Sequence, residues 1–297
     1  MKQGRGPFIA LFLAPAAILY AVFVILPLLQ AFQYSVYRWH GLSKKATFVG
    51  AENFTRLFKD ENFQKAVSHN LLLLVFAGLA TIVIAVSVAH GLTGSTRLAK
   101  TLRGVVLFPQ MVSIVAVAVL WQFIFNPQFG LVTSALHALG MKDVPTWLGE
   151  PKTALPSVGV AFIWFAAGFY IMLFSAALRA LPAEVTEAAE LDGATGFRRF
   201  WRVTWPMLWA VKRVAIVHLT ITVMNVFVLV LLMTRGGPDR ATETMLTYLY
   251  EQAFTNSQFG YATAIGVVCL FVVLIVSLAI LFAMRHNPEE SRQRRAA

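Results

Sequence analysis

Charge and cysteine are what this 297-residue chain has least of. Asp, Glu, Lys and Arg together make up 13% of it, against roughly 25% in a soluble domain. One cysteine, Cys269, lies within an apolar run, which excludes a disulfide framework and a cysteine metal site. No G-x-x-x-x-G-K-[ST] loop is present to cradle the phosphates of ATP. The six histidines form no H-E-x-x-H pair and no carboxylate interrupts the long apolar runs, which argues against an intramembrane metalloprotease or hydrolase. Proton-coupled carriage by a stand-alone secondary carrier is disfavoured for the same reason, since it calls for an ionisable acid at membrane depth.

Apolar residues are what the chain has instead. They make up 58% of it, above the roughly 45–50% of soluble domains, so lipid is the expected solvent. The net charge of +11 does not point to nucleic acid, because the basic residues cluster at the ends of apolar runs and not on an aromatic-interleaved soluble face. Six uncharged runs appear at 8–29, 71–89, 104–125, 158–178, 214–233 and 262–284. Each is long enough for a helix to cross roughly 30 Å of hydrocarbon. They lack the alternation of barrel strands, so the fold expected is an all-α membrane protein with six transmembrane helices in one domain, 1–297. The first run is long for a secretion signal and no small-residue cleavage site follows it, so it reads as a retained span.

Basic residues set the expected orientation. With the N-terminus inside, Lys2, Arg5, Arg97, Lys100, Arg103, Arg179, Arg198, Arg199, Arg202, Lys212, Arg213, Arg285, Arg292, Arg294 and Arg295 all face the cytoplasm, 15 of the 25 Lys and Arg. Both termini and the segment 179–213 are then cytoplasmic. The outer segment 30–70 carries Phe54, Leu57 and Phe58, then Phe63, Ala66 and Val67, at helical spacing, as expected of short interfacial helices. Small pairs such as Ala85/Ala89, Ser87/Gly91 and Ala262/Gly266 read as helix packing.

Within the inner segment, LPAEVTEAAELDGATG predicts a short helix. Pro182 suits its first turn, Glu184 and Glu187 lie near the positive end of its dipole, and Gly193 suits a left-handed stop. Thr195 is placed to cap a second helix, FRRFWRVT, whose Phe197, Phe200, Trp201 and Thr204 form one stripe, with Arg198, Arg199 and Arg202 on the other side. The first helix is a slim acidic knob held to the membrane by an amphipathic strap. An ordinary solvated loop is the plainer alternative, but two helices around a glycine suit insertion into a cleft of another protein.

EAAELDGATGFRRFWRVTWPML closely resembles the EAA loop of binding-protein-dependent ABC importer permeases, through Glu187, Ala188, Ala189, Gly193 and Pro206. The form EAAELDGA followed by RFWRVTWP is similar to the carbohydrate-uptake branch. FVGAENF at 48–54, LFPQMVSIVAVAVLWQFIFNPQFGLV at 107–132, TRGGPDRATETM at 234–245 and FGYATA at 259–264 extend the resemblance over most of the chain, with Arg235 standing where a small residue is expected.

This resemblance implies a transport subunit and not an enzyme, resident in a bacterial or archaeal plasma membrane. Its implied partners are a second permease subunit, two ABC ATPase subunits and an extracytoplasmic sugar-binding protein. ATP is bound by the ATPase partners, and this chain needs no cofactor or metal. The loop 181–206 is the implied coupling element, with Glu187, Ala188, Ala189, Asp192, Gly193, Arg198, Arg202 and Pro206 as its residues. For the solute path, Gln110, Ser113, Val117 and Trp121 share a helical face in the third run, and His218, Thr222 and Asn225 do in the fifth. Amides, hydroxyls and an aromatic platform suit a sugar, while interhelical hydrogen bonding is the competing use of the same groups. Gln110, Trp121, Thr222 and Asn225 are the path candidates; His218 reads as structural. Glycerol phosphate or a polyol is the alternative cargo.

Overall fold

The computed structural model describes residues 5–41, 45–92 and 97–286; Lys2, Lys44, Arg292, Arg294 and Arg295, which enter the count of basic residues, lie outside them. The described residues are mainly helical. In chain order they form α1 (5–35), α2 (Glu52–Lys59), α3 (Glu61–Gly91), α4 (Arg97–Met111), α5 (Ile114–Ile124), α6 (Leu131–Ala138) and α7 (Pro151–Arg179). There follow α8 (Ala183–Leu191), α9 (196–207), α10 (Trp209–Met224), α11 (Val228–Met233), α12 (245–255) and α13 (Phe259–Ala283). Strands Tyr37–Arg38 and Thr47–Phe48 pair antiparallel, with Tyr37 opposite Phe48. Among the described residues five helices are long and apolar enough to cross a membrane: Ala10–Ser35, Glu61–Gly91, Pro151–Arg179, Trp209–Met233 and Phe259–Ala283.

The third apolar run, 104–125, departs from a straight helix. Gly104–Met111 and Ile114–Ile124 meet at a bend of 106°, and the number of spans is six if this pair is counted as one. Pro109 has no N–H to continue the ladder, and Ser113 takes an extended ψ of 135°, so the second segment starts afresh from an N-terminal cap position. The face expected to carry Gln110, Ser113, Val117 and Trp121 is thereby interrupted between Gln110 and Ser113.

The chain divides into two compact units. The first comprises 1–64 and 248–271, the second 65–247 and 272–297. In the first unit, α1 ends in an aromatic corner where Tyr34 stacks on Trp39 at 4.6 Å, and Trp39 lies 5.7 Å from Phe259. The buried amide of Asn53 donates to the carbonyls of Ser35 (2.8 Å) and Tyr37 (3.0 Å), fixing α2 beneath the hairpin. Asp60 ends α2 and caps α3, accepting the N–H groups of Asn62 (3.0 Å) and Phe63 (3.4 Å). Its other carboxylate oxygen accepts the hydroxyls of Tyr248 and Tyr261. Burial opposes the charge on Asp60, but these four hydrogen bonds outweigh it and hold the carboxyl below its usual range. The same burial and the carboxylate push the Tyr248 hydroxyl well above its usual range.

Phe63, Ala66 and Val67 do not form a separate interfacial helix. No breaker follows Asp60, so they begin the 31-residue α3, which continues through the second apolar run.

In the second unit α7 is central. Val158, Ala161, Phe162, Ala166, Tyr170, Ile171 and Phe174 are all buried, together with Ala77, Ile82, Ala85, Val86 and Ala89 of α3. Small side chains let the backbones approach, which is how helices pack where lipid removes most of the hydrophobic drive. At Gly168 a Cβ would stand 2.6 Å from the Val106 carbonyl oxygen of α4, so only glycine fits. Ala85, Ala89 and Ala262 are buried as expected of packing positions, whereas Ser87 and Gly91 are exposed.

The helix of the fifth run pauses at Asn225–Phe227, between α10 and α11. Asn70 on α3, fully buried, holds the break: its Nδ2 donates to the carbonyls of Val223 (3.3 Å) and Met224 (3.2 Å), and its Oδ1 accepts the Met245 N–H (2.9 Å). Thr244 donates to the Val226 carbonyl at 3.2 Å. Beyond the break, Arg235 has a left-handed φ of 53°, which accounts for the small residue expected in its place.

Candidate functional site: an exposed two-helix loop

Segment 181–206 forms the two helices expected, with local adjustments. Pro182 takes the cap position (φ −58°, ψ 132°) and α8 begins one residue later, at Ala183. At the other end Gly193 has φ 73°. Its N–H donates to the Glu190 carbonyl (3.0 Å), and the Ala194 N–H reaches back to the Ala189 carbonyl (2.8 Å). This pair of bonds is the Schellman stop, which satisfies carbonyls that would otherwise be orphaned at a helix end. Thr195 occupies the cap position of α9 in extended conformation, but its side chain makes no capping bond.

Glu187, Ala188, Asp192 and Gly193 are exposed, while Ala189 is buried and forms the underside of the knob. Leu191, not singled out from sequence, is 90% exposed beside them. The knob thus presents a carboxylate, small side chains and one projecting aliphatic group. Such a surface has no catalytic constellation; what it can do is fill a cleft.

Glu190 of α8 and Arg199 of α9 form an ion pair across the glycine turn. Nine residues separate them, outside any helical spacing rule, so the sequence signal for the pair was absent. Being partly exposed, the pair contributes at most about 1 kcal/mol, and its main effect is to set the angle between the helices. Arg198 and Arg202 are exposed, and Pro206 is partly buried.

The aromatic stripe of α9 is divided. A π-helical turn over Phe200–Thr204 shifts its register. Phe200 is buried against the His90 ring at 4.8 Å, whereas Phe197 and Trp201 remain 78% and 49% exposed. Behind them Trp205 lies under the ammonium of buried Lys212, which sits 4.1 Å from its ring centre and 5.0 Å from that of Trp209.

The path candidates do not all converge. Gln110 is exposed on α4, ahead of the bend. Trp121 on α5 is packed against Phe125 (5.1 Å) and Trp164 (5.9 Å). Half-buried Thr222 and exposed Asn225 lie near the pause of the fifth run, donating to the carbonyls of His218 (2.9 Å) and Ile221 (2.8 Å). His218 bonds Tyr170 at 2.9 Å. Asn70, which holds the pause in place, is the residue sequence reasoning missed; a lone amide at the edge of an apolar run was its only signal. Among the described residues no group of three or more His, Cys, Asp or Glu is placed to hold a metal ion.

Comparison with known proteins places this architecture. Residues 81–288 match the family model of the binding-protein-dependent transport system inner membrane component. The diacetylchitobiose uptake system permease protein of Streptomyces coelicolor is 35% identical over 293 residues, 95% of this chain and 83% of the relative. The sn-glycerol-3-phosphate transport system permease protein of Brucella abortus is 31% identical, covering 89% of this chain and 90% of the relative. A bacterial alginate ABC transporter, solved in complex with alginate pentasaccharide-bound periplasmic protein, has a chain that superposes with a TM-score of 0.80 at 25% identity, over 95% of both chains. The fold, the multi-pass apolar helices and the matched region together make the chain a member of the binding-protein-dependent transport system inner membrane component family.

Proposed function

We propose that this chain is a permease subunit of an ATP-driven sugar importer, and that 181–206 is its coupling loop. The observation that carries the reading is the exposed helix α8, closed by the left-handed Gly193 and braced through Glu190–Arg199. A protruding, rigid, small-sided helix is what transmission of a rigid-body displacement requires. In this reading both termini and the loop face the cytoplasm, as the basic residues favour. Glu187, Ala188, Ala189, Asp192 and Gly193 seat in an ATPase cleft, while Arg198, Arg202 and Pro206 belong to the strap. Closure of two ATPase subunits on ATP displaces the knob, and α7 and α10, which flank it in sequence, carry the displacement into the membrane. ATP stays on those partners.

A second permease subunit of different sequence and an extracytoplasmic sugar-binding protein complete the machine. The named relatives support the choice of a sugar: diacetylchitobiose and multiple-sugar permeases stand among them, the latter 30% identical, from Streptococcus mutans. The amide and hydroxyl groups of Asn225, Thr222 and Gln110, with Trp121, are assigned to the solute path. Resemblance to the glycerol-phosphate permease keeps that solute as the second reading.

The test is purification with the neighbouring transport genes, then uptake into proteoliposomes. Sugar uptake that needs both ATPase and binding protein is the expected result, and glycerol-phosphate uptake alone selects the second reading. Uptake by this chain alone overturns both. Single cysteines at 192–196, in a Cys269→Ala background, should react only from the cytoplasm and those at 142–152 only from outside.

A further inference from the structure

An apolar groove runs along the second span, and its mouth is the strap of the loop. Its walls are Leu79, Ile82, Val83 and Val86 of α3, Ile216 of α10, and the rings of α9. The volume is 460 Å³, against roughly 30 Å³ for one water, and its polar lining is slight. A neighbouring space of 310 Å³ shares Leu79, Ile82 and Ile216 and continues along α3 to Leu74. From His90 to Leu74 the two extend roughly 24 Å at about 1.5 Å per residue, more than the roughly 15 Å of one leaflet's hydrocarbon. Beyond Ser87, His90 and Thr220 the lining offers water no partners, so in a bilayer hydrocarbon fills the space.

Charge decides which amphiphile. The mouth is formed by Phe197 and Trp201, the two exposed rings of the strap, which suit the headgroup boundary. Flanking them, Arg198 and Arg202 are exposed and make no ion pair with any described residue. No acidic side chain lines either space. An apolar slot that ends at the rings of Phe197 and Trp201, with an exposed arginine next in the chain to each ring, is complementary to an acyl chain joined to a phosphate. We propose that the groove holds an anionic phospholipid of the cytoplasmic leaflet, chain along α3 and headgroup on Arg198 and Arg202. The strap, and through Glu190–Arg199 the knob, then rests on a lipid, so coupling depends on the anionic lipid content of the membrane. The inference rests on the reading of 181–206 as a cytoplasmic coupling loop.

The test uses the complete transporter in nanodiscs of phosphatidylcholine containing increasing fractions of chain-brominated phosphatidylglycerol. The Trp201 signal is taken as the difference between wild-type and Trp201→Phe complexes, and brominated phosphatidylcholine serves as the comparison. Quenching should saturate at a lower mole fraction of phosphatidylglycerol than of phosphatidylcholine. Arg198→Gln and Arg202→Gln should each raise the half-saturating fraction about fivefold, and Val83→Phe, which places a ring in the groove, should abolish saturation. Equal quenching by the two lipids overturns the proposal, as does absence of quenching, which would mean that another protein segment covers the groove. Neither result bears on coupling itself, which is tested separately by Glu187→Ala.

Discussion

Gly193 closes α8 at φ 73°, and a Cβ built there meets nothing within 4 Å. The cost of a side chain is therefore conformational and not steric, which makes its size calculable. A left-handed backbone costs alanine about 1 kcal/mol, asparagine less, and a β-branched residue more. One kcal/mol shifts a local equilibrium roughly fivefold. The loop is free to relax, since the two bonds closing it, Gly193 to Glu190 and Ala194 to Ala189, lie at its exposed tip. The substituted chain should lose the Schellman closure and re-aim α8 relative to α9, straining the Glu190–Arg199 pair. The membrane bundle, which shares none of these contacts, should remain intact. The assay is transport and binding-protein-stimulated ATP hydrolysis in proteoliposomes, normalised to protein in the membrane. Activity should fall in the order glycine, asparagine, alanine, valine, with alanine reduced about fivefold and all variants present in near-normal amounts. Equal activity across the series would refute the reasoning, because it would show that the angle set at residue 193 does not matter. A parallel loss of protein would place the effect in folding.

Glu187→Ala should leave the chain inserted but weaken copurification with ATPase subunits, since a charge-assisted bond in a cleft contributes about 1.5–3 kcal/mol; wild-type yield of the complex would count against it. Asn70→Leu leaves the Met245 N–H and the Met224 carbonyl without their buried partner, while the Val223 carbonyl keeps the Val226 N–H, so the melting temperature in detergent should fall by the equivalent of about 1–3 kcal/mol per orphaned group. For Asp60 the folded carboxyl titrates below the usual 3.8. Its stabilisation is therefore complete above that value and lost as pH falls through the lower folded one. Melting curves taken from pH 5 down to 3 should show an acid-induced loss that is smaller in Asp60→Asn, and identical pH profiles would dismiss the role.

Much of this protein was legible from local rules. Apolar runs free of charge can only be satisfied as helices in lipid, so the spans followed from composition and length. The knob was equally legible because its determinants are short-range. Pro182 is compatible with a helix start, and Gly193 is the one residue type at ease in a left-handed stop. Even the unusual Arg235 could be marked as standing where a small residue belongs, and its backbone is left-handed.

Tertiary structure decided what depends on partners distant in sequence. Asn70 is one amide in the chain until the ends of two helices more than 150 residues away bring it two backbone carbonyls and one N–H. Glu190 and Arg199 meet only because the turn between them folds back. The bend of 106° between α4 and α5 has a local ingredient in Pro109, but proline elsewhere in this chain, as at Pro156 within α7, leaves a helix unbroken. Whether a missing N–H bends a helix depends on what packs against the freed groups, and here Gly168 of α7 brings its backbone against the Val106 carbonyl one turn before the break. The groove beside the strap belongs to the same class: its walls come from three helices, and spacing within any one of them cannot reveal the space they leave between them.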